Sequence, residues 1–336
     1  MAHELRLGTR GSQLALWQAG SVEHRLAAAG GPPCRIVVIR TSGDRLQEAP
    51  LSEVGGKRLF VKELEDALLR DEIDLAVHSS KDMPAWLPDG LAIGAVLPRE
   101  DPLDAVVLPV MADGSRLIAD RTSHQPSGID DLVALLGRSP SIGTGSVRRI
   151  AQLTRLFPGA RFQPIRGNLD TRLRKLDEGA HDALVLAAAG LRRLGFASRI
   201  SFSLPVDACV PAPGQGIVAI EVREDNHAVR RMLSSIDDPA AAAALTAERA
   251  LVRALDGGCQ TPIGALASPE DGDTMSLVAA VVAVNGSRAV RGHVRGTRKD
   301  AAALGERLGT QLIADGADEI LLEARRVHGA VEGIQP

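Results

Sequence analysis

The chain has 336 residues, 45% of them apolar and 24% charged, with a formal net charge of −3. That length exceeds what one core ordinarily fills, and the composition excludes disordered and fibrous classes, while the charge excludes a molecule that binds polyanions over its whole surface. Aromatic residues are scarce, with two Trp, five Phe and no Tyr, so the cores have to be built from Ala, Val, Leu and Ile, which suits strands covered by helices.

In chain order, Glu4–Thr9 reads as a strand and Ser12–Ala29 as a helix with Ser12 as N-cap. Arg35–Arg40 is a second strand. The polar, Gly-marked stretch 41–58 is too long for an ordinary connection. Leu59–Arg70 is an amphipathic helix and Ile73–His78 a buried-type strand. Residues 113–127, polar and carrying Gly, Pro, Ser and Asp, read as an exposed insertion or linker. A second alternating set follows: strands at Ser141–Gly143, Arg161–Ile165 and Asp182–Leu186, helices at Ser146–Phe157, Leu169–Glu178 and Ala188–Leu194. A Pro- and Gly-rich hinge, Val210–Gly216, leads into the strand Ile217–Val222. After Asp238-Pro239 the pattern changes to an Ala-rich helix (Ala240–Leu255), three strands (Ile263–Ala267, Met275–Val284, Arg288–Arg295) and a helix over Lys299–Ala314.

This order predicts an α/β protein: two lobes with parallel sheets between helices, and a small C-terminal α+β unit. A weak internal echo supports paired lobes. Leu7–Ser12 and Ile142–Ser146 each end a strand and open a helix, and Asp74 and Asp182 each start a strand after a charged helix end.

The longest clean apolar run, Ala183–Leu191, is about half of what a bilayer needs, so no membrane is expected. No secretory leader is read at Met1–Leu7, and three widely spaced cysteines (Cys34, Cys209, Cys259) make neither a disulfide framework nor a metal pattern. The expectation is a cytoplasmic protein, monomeric because no heptads or long apolar edge are present.

Charge is distributed unevenly. Between Arg148 and Arg193, nine Arg and Lys175 face only Asp170, Asp177, Glu178 and Asp182, a local balance of +6. Helix N-termini receive anions through unpaired N–H groups, and Arg forks hold carboxylates bidentately. The turns at Thr9–Ser12 (with Arg10) and Thr144–Ser146 (followed by Arg148 and Arg149) are therefore candidate anion sites, extended by Arg166 and Arg172. A lone arginine is more often solvated; two such turns at corresponding places favour binding. Nucleic acid is disfavoured, since the region offers only Phe157 and Phe162 for stacking.

His78-Ser-Ser-Lys81-Asp82-Met-Pro84 lies just past the end of a buried strand, where α/β folds place ligands. Asp82 offers a carboxylate for proton transfer or for stabilising a cation. Gly257-Gly-Cys259-Gln-Thr-Pro262 sets a thiol on a tight turn, although a free Cys is by itself more often a small buried apolar residue.

Together these motifs resemble the hydroxymethylbilane synthase (porphobilinogen deaminase) family. The resemblance runs from about Leu5 to Glu323 and adds Val54-Gly-Gly-Lys57, Leu59-Phe-Val-Lys62-Glu63, Arg166-Gly-Asn168, Ala189–Gly195, Pro213-Gly-Gln-Gly216 and Pro262-Ile-Gly264. It implies two lobes like those of periplasmic solute-binding proteins, with mixed, mainly parallel sheets, and a third domain bearing the cysteine. The implied domains are 1–98 with 217–234, 103–210, and 239–336. It further implies a dipyrromethane cofactor on Cys259 through a thioether. Four porphobilinogen molecules are condensed head to tail with loss of ammonia, and hydrolysis then releases the linear tetrapyrrole used in porphyrin and heme synthesis. Asp82 would be the catalytic residue. Arg10, Ser12, Lys57, Lys81, Thr144, Ser146, Arg148, Arg149, Arg166, Arg172 and Arg193 would bind the carboxylates of cofactor and substrate; no metal is implied. Glu53 stands where relatives often have Lys, Gly145 where a Ser is common, and 113–127 is longer than usual. Two rival readings stand beside this one. A non-catalytic solute-binding module would bind its ligand equally well as Cys259→Ala, and a nucleic-acid binder would show steep salt dependence.

Overall fold

The computed structural model describes residues 4–42, 61–110, 126–258 and 261–332. Its first sheet opens with Leu5–Thr9 (β1), whose side chains are almost wholly buried, and Gln13–Ala28 (α1) follows, capped by Ser12, whose hydroxyl accepts from the Ala15 amide. Cys34–Val38 (β2) and Leu75–Ser79 (β3) flank β1 in parallel, with Lys62–Leu69 (α2) between them in sequence. Leu91–Val96 (β4) completes the outgoing chain.

The chain then crosses to a second sheet through Asp104–Val107 (β5). Ile129–Leu136 (α3), Ser141–Gly143 (β6), Val147–Thr154 (α4), Arg161–Gln163 (β7), Leu169–Asp177 (α5), Ala183–Ala187 (β8), Ala188–Arg193 (α6) and Phe202–Ser203 (β9) follow. It returns through Val218–Arg223 (β10), and His227–Leu233 (α7) closes the first lobe. The strand orders are β2-β1-β3-β10-β4 and β7-β6-β8-β5-β9. In each sheet the fourth strand alone runs antiparallel, β10 in the first and β5 in the second. The sheets thus have one topology, and the echo between Leu7–Ser12 and Ile142–Ser146 marks its equivalent first turns. Each lobe donates a strand next to the chain crossing, which is the mixed, mainly parallel arrangement expected.

Helices cover both faces, as buried parallel strands require. On the first sheet, Ala19, Val22 and Leu26 pack with Leu5, Leu7, Val218, Ile220 and Val222 on one side, and Leu64 and Leu68 pack with Ile73 and Ala76 on the other. In the second lobe, Leu132, Leu153 and Phe157 cover one face and Leu173, Leu176 and Leu191 the other. The cores are aliphatic, with Phe157 the one aromatic ring among the largest fully buried side chains.

The C-terminal unit is an antiparallel meander, Ile263–Pro269 (β11), Thr274–Val282 (β12) and Ala289–Thr297 (β13). It is backed by Pro239–Ala254 (α8) and Ala301–Ala314 (α9), with Ala317–Glu332 (α10) last. The α8–α9 contact is close because α9 presents Gly305 and Gly309. A methyl group on Gly305 would collide with the Ala247 carbonyl oxygen.

Several elements differ from the expectation. The strand from Arg161 stops at Gln163, because Pro164 has no N–H to continue the ladder. The helix after the 41–58 stretch begins at Lys62, and Leu59 and Phe60 lie outside the described residues, as do most of that stretch and most of the 113–127 insertion. Strands β4 and β5, helices α3 and α7, and α10 were not read from periodicity. Among the described residues no helix is long and apolar enough to cross a membrane.

Candidate active site

Strand β3 is buried and ends in a single tight turn, Ser80–Asp82, which delivers Asp82 half-buried at the carboxyl edge of the first sheet. The hinge holds that turn. Lys81 Nζ donates to Gln215 Oε1 at 3.3 Å, and Gly214, at φ +74°, lies so close that an added Cβ would be 2.5 Å from Ser80 Oγ and 3.1 Å from the Lys81 amide. Only glycine combines that backbone with that proximity. Gln18 from α1 donates to Ser79 Oγ at 2.8 Å, tying the first helix to the same strand end.

In the second lobe, the turn after β6 is built as the sequence suggested. Thr144 is buried, its hydroxyl accepts from the Ser146 amide at 3.3 Å, and Ser146 caps α4 by accepting from the Arg149 amide. The two arginines that follow turn toward one fully buried carboxylate. Arg148 donates through Nη1 to Asp104 Oδ2 at 2.6 Å and to the Val210 carbonyl at 2.7 Å. Arg149 donates through Nη2 and Nε to Asp104 Oδ1 at 2.7 and 3.0 Å, and through Nη1 to the Val185 carbonyl at 2.9 Å. Burial opposes the charge on Asp104, but Arg148 and Arg149 outweigh it and hold the carboxyl far below the usual carboxylate range. Gln215 joins this cluster, donating to Asp104 Oδ1 at 2.9 Å. One glutamine therefore links Lys81, beside Asp82, to the arginine pair of the opposite lobe.

Arg148, expected at the binding surface, is only 4% exposed, and its hydrogen bonds run inward. It holds Asp104 together with Arg149, and also the Val210 carbonyl of the hinge. Arg149 is 9% exposed and Arg166 and Arg172 are half-buried. Arg172 Nε donates to the Gly167 carbonyl at 2.8 Å. Burial first, then the charges of Arg149 and Arg166, push its guanidinium below its ordinary value, while Asp82 pulls the other way. Three arginines of one lobe and the aspartate of the other thus share one electrostatic neighbourhood. Arg193, at the end of α6, donates to the Gly216 carbonyl at 2.7 Å; burial lowers its pKa, against the influence of Glu100. Arg10 and Ser12 stand half-buried at the first turn of the first lobe.

Two expected residues, Cys259 and Lys57, lie outside the described residues. The described chain reaches Gly258 after α8 and resumes at Thr261, whose hydroxyl donates to the Gly258 carbonyl at 2.7 Å. Of the other thiols, Cys209 is fully buried beside Asp104 and Arg148, and burial pushes it up to about 12; Cys34 is half-buried and also raised by burial. Neither is placed for chemistry, as their sequence context implied. Asp104, Gln215 and Glu248 were not singled out from the sequence. Gln215 lay inside a quoted motif, whereas Asp104 carried no signal beyond a charge before an apolar run.

Two α/β lobes whose facing edges gather arginines near one aspartate form a site suited to small polycarboxylates. The family model described as "Porphobilinogen deaminase, dipyromethane cofactor binding domain" matches residues 5–231, and "Porphobilinogen deaminase, C-terminal domain" matches 242–314. Among curated relatives, the porphobilinogen deaminase of Syntrophobacter fumaroxidans is 45% identical, covering 96% of this chain and 98% of its own. That of Pelotomaculum thermopropionicum is also 45% identical, covering 97% and 98%. Among solved structures, the methionine-binding protein MetQ is 13% identical with a TM-score of 0.40, covering 69% of this chain and 89% of its own. The chain belongs to the porphobilinogen deaminase (hydroxymethylbilane synthase) family, and residues 5–231 are its dipyrromethane-binding part.

The donors present suit that cofactor. Each pyrrole of a dipyrromethane carries two carboxylates, and the Arg149, Arg166 and Arg172 cluster, with guanidinium groups that depress Arg172, is a set of like charges that an anion relieves.

Proposed function

We propose that this chain, acting in the cytoplasm as a monomer, condenses four porphobilinogen molecules head to tail on a primer held by Cys259 and then releases the linear tetrapyrrole. The dipyrromethane group, when attached, supplies the pyrrole carbon from which the chain grows. The observation that carries the reading is the shared neighbourhood of Asp82 with Arg172, Arg149 and Arg166.

The chain's own residues divide the work. Arg149, Arg166, Arg172 and Arg193 receive carboxylates from the second lobe, with Thr144 and Ser146 shaping that turn; Arg10, Ser12 and Lys81 receive them from the first. Lys57 contributes from the 41–58 stretch. Arg148 acts beneath them by sharing Asp104 with Arg149. Each charge-assisted bond in a part-buried site is worth about 1.5–3 kcal/mol, so several arginines hold a polycarboxylate without a metal. Asp82 faces pyrrole N–H groups, stabilises the positive charge that develops when ammonia leaves, and takes up the proton lost from the attacking pyrrole α-carbon. The domains are taken as 1–98 with 217–234, 103–210 and 239–336; the membership of the three sheets supports those limits.

The test is the intact mass of the purified protein beside Cys259→Ala. Added mass of two linked pyrroles on the wild type alone is expected. Equal unmodified masses after incubation with porphobilinogen would make Cys259 a structural residue and return the solute-binding reading.

A further inference from the structure

The chain has two tryptophans, and each lies under an arginine from another part of the fold. Trp86, just beyond the Asp82 turn, has the Arg253 guanidinium of α8 5.4 Å from its ring centroid. Trp17, on α1, has the guanidinium of Arg193, on α6 of the opposite lobe, 5.5 Å from its centroid. Trp17 is 41% exposed, so it is not held there as core. One turn earlier on the same helix, Leu14 lies against α6, where a Cβ on Gly190 would come 3.9 Å from its methyl.

We propose that Trp17 is a positioning residue for Arg193. An arginine on a long stem loses much rotamer freedom when it grips a ligand, and less if its plane is already set. Arg193 has two contacts in the described structure: the Gly216 carbonyl accepts one N–H, and the indole ring of Trp17 lies under the guanidinium. The remaining N–H groups are then presented in one orientation to a carboxylate. Both contacts stand outside the second lobe, on α1 and on the hinge, so Arg193 is aimed only while the lobes are together. The inference rests on the reading of Arg193 as a carboxylate-binding residue.

The test uses the full-length protein carrying Trp86→Phe, in which Trp17 is the single tryptophan. Into it Trp17→Leu, Trp17→Phe and Arg193→Leu are placed separately, and the KM for porphobilinogen, kcat, Tm and, where Trp17 is kept, its emission are measured. Trp17→Leu is expected to raise KM about three- to ten-fold, the scale of a partly exposed cation–π contact, with Tm unchanged and kcat within about two-fold. Trp17→Phe restores most of the loss, and Arg193→Leu changes Trp17 emission before any substrate is added. Unchanged emission, or Trp17→Leu kinetics equal to the parent while Arg193→Leu is impaired, overturns the positioning role alone. Equal losses for Leu and Phe with a lowered Tm reduce Trp17 to packing. An Arg193→Leu variant with the parent's KM removes the carboxylate role of Arg193, and the positioning role with it.

Discussion

Arg99 and Glu248 bind each other where all three parts of the molecule meet, Arg99 Nη1 donating to Glu248 Oε1 at 2.6 Å and Nη2 to Oε2 at 3.3 Å. Arg99 lies on the crossing out of the first sheet; Glu248 lies on α8 and is fully buried. The same carboxylate accepts from the Ala267 amide of β11 at 2.8 Å and from the Gly214 amide of the hinge. Four donors from three segments converge on it, so the C-terminal unit is fastened to the hinge as well as packed on the lobes.

Removing that carboxylate takes the counter-charge from a largely buried guanidinium and leaves two amides unpaired. Glu248→Ala is expected to cost about 3–5 kcal/mol. Chemical denaturation should show the loss, and Arg99→Ala, which leaves the carboxylate two amide partners, should cost less. Equal, near-zero effects from both would show that the junction carries no stability.

Asp104 gives a pH signature whose sign is fixed. Its folded pKa is depressed by Arg148 and Arg149, so its contribution to stability is complete above the unfolded carboxylate value, about 3.9, and is lost as pH falls through the lower folded value. Wild-type stability should therefore fall with acid from about pH 4 downward more steeply than that of Asp104→Asn. At neutral pH the variant should be less stable by about 3–5 kcal/mol, since two arginines remain buried beside a neutral group. Parallel acid profiles for the two proteins would contradict this account.

Asp82 sits on a turn held by Gln215 and Gly214, and asparagine keeps its side-chain shape, so Asp82→Asn should fold normally. Turnover should drop about 10²- to 10⁴-fold, the range of a positioned proton-transfer group. Steady-state rates beside a thermal melt decide it; a Tm loss that accounts for the rate loss would mean that Asp82 is structural.

Gly214→Ala tests the fit between hinge and catalytic turn. The new methyl meets Ser80 Oγ at 2.5 Å on a backbone at φ +74°. The left-handed conformation alone costs an alanine about 1–2 kcal/mol. Turnover should fall more than stability, because the displaced atoms belong to the turn that carries Asp82. Gly195→Ala, also at positive φ but with open space for a methyl, should lose stability without that loss of rate.

Periodicity and capping residues were enough for the strands that begin each lobe and for α1, α4 and α8, whose caps Ser12, Ser146 and Asp238 all accept from the amide three residues on. β5 and its partner crossing β10 were harder. Asp104–Val107 has four residues, and its burial comes from strands far away in sequence. The pairing of β10 between β3 and β4 is a tertiary fact that no local pattern encodes. Likewise, the sequence marked arginines but not their depth. Arg148 and Arg149 look alike in sequence, and nothing local shows that both turn inward onto Asp104.

The strand exchange between the lobes has a consequence for how the chain is made. β10 joins β3 to β4, pairing Val218 with Ser79 and Ala219 with Val96, yet it leaves the ribosome only after the whole second lobe. Until residue 218 emerges, the first lobe has a three-stranded fragment and a lone β4 with bare facing edges, the state in which strands pair with the wrong neighbour. A nascent chain halted before that point is a lobe lacking the strand that joins β4 to the rest, so the N-terminal portion depends for its maturation on sequence synthesised long after it.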